Sequence, residues 1–221
     1  MTRWLAAMER RRRIAHRRRQ AGERGQGLVE FALIVPLFLL ILVVMIDFGF
    51  AFYAHLTVEY ASREGARVGA ALAAGSSSLP CAQVDDYVIA AVQRVLESAG
   101  LAVDLDPSDP QAAGVKWIRI YKSDTSGLGY SGGPYNEWRY SAGGGPTVDG
   151  RVLDFAKQSE AWSACTRLNG ATPDSIGVAV SYSYAWVTPI ARITTLVPVF
   201  TPLATIQFVD KTVMALNPTF P

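Results

Sequence analysis

Histidine and cysteine are nearly absent from this chain. Of 221 residues, two are histidine, His16 and His55, and two are cysteine, Cys81 and Cys165. That scarcity excludes whole classes of chemistry. The histidines stand on either side of a long apolar run and the cysteines are far apart, so no cluster of zinc-type ligands forms, and no metal or other cofactor is expected. Also missing are a phosphate-binding Walker loop, a dinucleotide fingerprint behind a strand, a Cys-x-x-Cys pair and a recognisable frame of paired carboxylates. A second long apolar run is lacking too, which excludes a multi-span transporter.

What is present is a sharp division of charge. The formal net charge is +2, but residues 1–25 hold nine arginines against Glu9 and Glu23, a local +7. Residues 26–221 therefore carry 12 basic and 17 acidic side chains, or −5. An arginine-rich tail can bind phosphates, but this one has no aromatic interleaving beyond Trp4, and its position before an apolar run is explained by topology alone. No nucleic-acid partner is expected.

From Leu28 to Ala54 only Glu30, Pro36, Asp47 and Gly49 interrupt aliphatic and aromatic side chains. As a helix rising ~1.5 Å per residue, this stretch reaches about 40 Å, enough for a bilayer core of about 30 Å and its interfaces. The flanking arginines put the N-terminus in the cytoplasm and residues 55–221 outside. The run is longer than the apolar region of a cleaved secretory signal. The sequence thus divides into a basic cytoplasmic leader (1–25), a transmembrane helix (26–54) and an extracytoplasmic domain (55–221).

The junction reads Arg24-Gly25-Gln26-Gly27-Leu28-Val29-Glu30-Phe31-Ala32-Leu33-Ile34-Val35-Pro36, followed by Asp47-Phe48-Gly49 and Ala61-Ser62-Arg63-Glu64-Gly65-Ala66-Arg67. This pattern, over roughly residues 24–74, resembles the TadE-like pseudopilins of tight-adherence (Tad/Flp) pilus systems, relatives of type IV pilins. Asp47 departs from it, since family members usually carry glutamate there. The resemblance implies a minor pilin or pseudopilin that assembles or primes a pilus and functions in cell adhesion or secretion. It further implies that a prepilin peptidase cuts after Gly25, on the cytoplasmic side of the inner membrane, leaving Gln26 first and Glu30 fifth. Glu30 would then pair with the new α-amine of a neighbouring subunit and set their register. Other pilin subunits and an inner-membrane assembly platform are the further partners implied. The competing reading is an uncleaved single-pass scaffold of a secretion or envelope complex.

Elementary physics leaves both roles of Glu30 open. A carboxylate inside an apolar span costs roughly 2.5 kcal/mol or more at mid-bilayer and less near an interface, where it can also remain simply solvated. Asp47, ~25 Å further along the axis, is either an acid at the outer interface or a pairing group. Pro36 removes one helical hydrogen bond and is expected to kink the helix or let it loosen during assembly. With Phe31, these residues make up the candidate assembly surface of the span.

Beyond the span no breaker appears before Gly75-Ser76-Ser77-Ser78-Leu79-Pro80, so the helix should continue to about Ala74. Ala61, Gly65, Gly69 and Ala73 recur every four residues, a small-residue stripe suited to close approach of another backbone or a sheet. Val84–Ala99 has a helical period closed by Gly100. Strands are expected at 115–121, 175–187 and 204–216, a helix at 151–164, and a long glycine- and tyrosine-rich surface loop at 122–150. The fold class is then α+β, a long helix running into a pilin-like head with a small antiparallel sheet. Cys81 and Cys165, both outside, are expected to form one disulfide.

One fragment imitates an active site. Gly129-Tyr130-Ser131-Gly132-Gly133-Pro134 differs by one residue from the string around the nucleophile of chymotrypsin-like proteases. A serine nucleophile needs a base, and the only external histidine is His55 at the membrane surface. The chain is not expected to be an enzyme.

Overall fold

A computed structural model describes residues 2–101, 103–104, 112–124, 133–188 and 205–217, with side chains from Gln26 onward. The tempting Ser131, the acidic stretch 105–111 and the apolar stretch 190–200 lie outside the described residues. The first helix, α1, is Thr2–Leu72 and carries Pro36 in its interior. The chain divides into two units, Met1–Phe48 and Gly49–Pro221.

In the first unit the described side chains are those of a helix exposed on nearly all sides. Leu28, Phe31, Leu33, Phe38 and Met45 are each at least 60% exposed. The helix segment from Gln26 is long and apolar enough to cross a membrane, with a mean hydropathy of 3.0 in its best window.

The second unit is an α+β domain. Its part of α1 ends where Ala73 and Gly75 take positive φ, and the Gly75 amide donates to the Leu72 carbonyl. A Cβ at Gly75 would lie 2.7 Å from the Leu79 carbonyl oxygen, so the turn out of the helix requires glycine. A short 3₁₀ turn, Cys81–Gln83, leads into α2, Val84–Ser98. Gly100, at φ 69°, closes α2 while the Leu101 amide donates back to Leu96, a Schellman-type end.

Seven strands follow among the described residues: β1 Gly114–Lys122, β2 Tyr135–Tyr140, β3 Thr147–Val148, β4 Arg151–Val152, β5 Phe155–Glu160, β6 Ser175–Ala185 and β7 Thr205–Ala215. Five form one antiparallel sheet in the order β5-β2-β1-β6-β7, and β3 with β4 makes a separate hairpin. Asp149 and Gly150, both at positive φ, turn that hairpin, the arrangement a two-residue Asp-Gly loop favours.

Strand β6 lies in the sheet interior. Its Ile176, Val178, Val180 and Tyr182 join Ile118 and Ile120 of β1, Trp138 of β2 and Phe155 of β5 in the core. Onto them pack Ala54, Val58, Ala61 and Ala66 of α1 and Val88, Ile89, Val92 and Leu96 of α2. Full burial of such a Val, Ile, Leu or Phe side chain contributes roughly 1.5–3 kcal/mol, so this layer is the main stabilising term of the domain.

Two expectations are corrected. Residues 122–150 are not one surface loop, because β2 and β3 lie within them. Residues 151–164 are not helical; they form β4 and β5 and end at the 3₁₀ turn Ala164–Thr166. In both places burial hides the strand period. β2 buries two polar residues, Asn136 and Glu137, and β5 buries only Phe155, leaving the helix-forming Lys157, Gln158 and Glu160 exposed along a sheet edge. Tertiary pairing overrides propensity there.

Candidate functional site

The residues singled out by the sequence separate into three locations. At the start of the described side chains, helical spacing stacks Gln26 one turn before Glu30, and the Gln26 Nε2 donates to Glu30 Oε1 at 3.2 Å. Gly25 is helical, and Glu30 and Phe31 are exposed. Pro36 is exposed as well, and its missing N–H leaves the Ala32 carbonyl without its usual helical donor.

Asp47 is different. It has no exposed surface, although Ile46 and Phe48 beside it are exposed. A buried carboxylate has to be compensated by partners.

The small-residue stripe is used inside the second unit. Ala61 is fully buried. A Cβ on Gly65 would come within 2.6 Å of Val92 Cγ2 and 3.2 Å of Val178 Cγ1, and one on Gly69 within 2.6 Å of Ile176 Cδ1. The close approach that these glycines permit is therefore made by the chain's own α2 and β6.

A third location was only partly legible. Cys81 and Cys165 are disulfide-bonded across 84 residues. Beside them Arg167 Nη2 donates to Asp85 Oδ1 at 2.6 Å, with both side chains almost wholly buried. Asn136 completes the cluster: its Nδ2 donates to Asp85 Oδ2 and to the Trp162 carbonyl, and its Oδ1 accepts from the amides of Ala161 and Trp162. The Arg167 guanidinium also lies 4.4 Å from the Trp162 ring centroid. In the sequence Asp85 stands beside Asp86 in the first turn of α2, with no local sign of the arginine.

Across β1 and β2, Glu137 accepts from Arg119 Nε and from Arg139 Nε, each at 2.7 Å. Burial pushes its carboxyl up, but the hydrogen bonds and charges of the two arginines outweigh that and hold it below its ordinary value. Between α1 and β7, His55 Nδ1 lies 3.0 Å from Asp210 Oδ2. Burial raises the Asp210 carboxyl above its ordinary value despite His55. Among the described residues no group of three or more histidine, cysteine or acidic side chains can hold a metal.

The arrangement is thus a helix with bare apolar sides, attached in sequence to a domain stabilised by a disulfide and buried polar pairs. No curated protein and no solved structure gives a significant match to this chain. A family model does: the one described as TadE-like protein matches residues 25–67, from Gly25 through Glu30 and Asp47 to Arg67, so that the segment of α1 bearing the candidate residues is TadE-like.

Proposed function

We propose that this chain is a minor pilin or pseudopilin of a Tad-type pilus, made as an inner-membrane precursor with its N-terminus in the cytoplasm and cut by a prepilin peptidase between Gly25 and Gln26. The observation that carries this reading is the exposure of the leucine, phenylalanine and methionine side chains of α1 between Leu28 and Phe48, on a segment that matches the TadE-like family. Bare leucine and phenylalanine side chains on every side of a helix are costly in water, at roughly 1.5–3 kcal/mol each. Lipid relieves that cost in the precursor, and helices of neighbouring subunits relieve it in a pilus. Glu30 then has a use in each state. Near the headgroups it is inexpensive, and among packed apolar helices it needs a cation, which the freed amine of a neighbour's Gln26 supplies. The 26–54 segment is the span, and 55–221 is the head that faces pilin partners and the assembly platform.

The test is mass spectrometry of the protein recovered from pili of a host that has the peptidase. The expected mature chain begins at Gln26, and Glu30→Ala is expected to leave membrane insertion intact while abolishing pilus incorporation. An intact 1–25 leader on pilus-associated protein, or normal incorporation of Glu30→Ala, would overturn the proposal in favour of an uncleaved membrane scaffold.

A further inference from the structure

Residues of α1, α2 and β7 line a groove of about 480 Å³ in the head. Its apolar lining is Ala91 and Val95 of α2 and Met214 of β7, with the ring of Tyr60 from α1. Its rim is cationic: Arg63 and Arg67 of α1 and Arg94 of α2, with Glu64 the one acid among the lining residues. From His55 onward the chain holds 12 basic and 15 acidic residues, so three arginines around one groove run against the charge of the domain that bears them.

These arginines are available. Arg94 is exposed and has no carboxylate within ion-pair distance among the described residues. Arg63 pairs with Glu59, and Arg67 with Glu64, through side chains of which more than half of each arginine is exposed. Exposed pairs of this kind contribute little and exchange partners readily. Each guanidinium offers a planar fork that fits a carboxylate through two parallel hydrogen bonds.

We propose that this groove docks a segment of a partner protein in which carboxylates flank an apolar side chain. The acids engage Arg94, Arg67 and Arg63, and the apolar side chain covers Val95 and Met214. Charge complementarity selects this occupant. A polyphosphate chain would leave the apolar lining unused and would meet both Glu64 on the rim and the acidic excess of the surrounding domain. A carboxylate of single charge between apolar groups satisfies rim and apolar lining together.

The test uses the full chain in nanodiscs of zwitterionic lipid and a short fluorescent peptide in which aspartates flank a leucine, read by anisotropy. The aspartate peptide is expected to bind on the order of tenfold tighter than its asparagine twin and than the version with glycine for leucine. Arg94→Glu and Arg94→Gln are each expected to lose most of that difference, with unchanged melting because the side chain is exposed. Lys116→Glu, on β1 and outside the groove, is expected to bind as the parent does. Equal binding of aspartate and asparagine peptides overturns the proposal, as does parental binding by both Arg94 variants. Displacement of the peptide by phosphatidylglycerol vesicles in an Arg94-dependent way also overturns it, assigning the groove to anionic lipid instead.

Discussion

Asp85 and Arg167 are 82 residues apart in sequence and form a buried ion pair at 2.6 Å, four residues after Cys81 and two after Cys165. The same two segments, the entry to α2 and the 3₁₀ turn after β5, are therefore joined twice, covalently and electrostatically. Asn136 ties β2 to both, through Asp85 on one side and Trp162 on the other. Polar contacts thereby tie these segments together beside Trp162, which is itself part of the buried apolar core.

Removing either charge of that pair leaves its partner buried and alone. Asp85→Leu or Arg167→Met alone is expected to destabilise the head by about 3–5 kcal/mol, the cost of stranding a buried charge. Replacing both at once, Asp85→Leu with Arg167→Met, is expected to cost less than either single change, since no charge is then stranded. Denaturant unfolding of the four proteins in one detergent gives the cycle. Additive single effects would show that the two residues do not act as a pair.

Reduction or Cys165→Ser is expected to lower stability by about 4 kcal/mol, because the disulfide closes a long loop of the unfolded chain. Since the ion pair shares the same segments, the loss from Asp85→Ala should be larger in the reduced protein than in the oxidised one. Melting curves with and without reductant measure both effects. Equal melting of reduced and oxidised protein would contradict the first.

The glycines of α1 give a contrast within one helix. Gly65→Ala puts a methyl within 2.6 Å of Val92 Cγ2, between α2 and β6, whereas at Gly49 nothing lies within 4 Å of the added atom. Overpacking of this kind costs typically 1–3 kcal/mol, and relief of a helical glycine at an open site gains up to about 1 kcal/mol. Gly65→Ala should therefore lower the melting temperature and Gly49→Ala should hold or raise it. The opposite order would mean that the two helices and β6 separate easily at Gly65.

Much of this could be read before any coordinates. The period of Val88, Val92, Val95 and Leu96 with Gly100 behind it gives α2, and Ile176, Val178 and Val180 on one parity give β6, because those residues face a single core. The apolar run and the Gly25–Arg67 motif are contiguous and need no fold to be seen. What stayed hidden depends on contacts across the chain. Asn136 and Glu137 read as loop residues because a strand that buries polar groups has no apolar period, and Arg167 carries no local sign that Asp85 waits for it. The stripe Ala61, Gly65, Gly69 was visible as a close-packing surface, but only the geometry shows that α2 and β6 already occupy it.

Glu137 predicts a pH dependence of defined sign. Its ordinary carboxyl value is 4.5, and in the folded head the balance of burial against Arg139 and Arg119 leaves it lower. The folded state thus releases this proton more readily than the unfolded chain does. Stability from the group is fully present above about pH 4.5 and is lost as the pH falls through the lower folded value. Glu137→Gln removes the charge that both arginines hold, and Arg119, stacked 4.1 Å from the Trp117 ring centroid and 4.7 Å from that of Tyr135, would keep its aromatic neighbours but lose its counter-ion. The variant is expected to be less stable than the parent at pH 7, with the gap closing as the pH falls below 4.5. Denaturant midpoints of parent and variant, compared at each pH so that all other carboxylates cancel, measure the gap directly. A gap that stays constant from pH 7 to the acid limit would mean that the Glu137 charge contributes nothing and that the loss comes from shape alone.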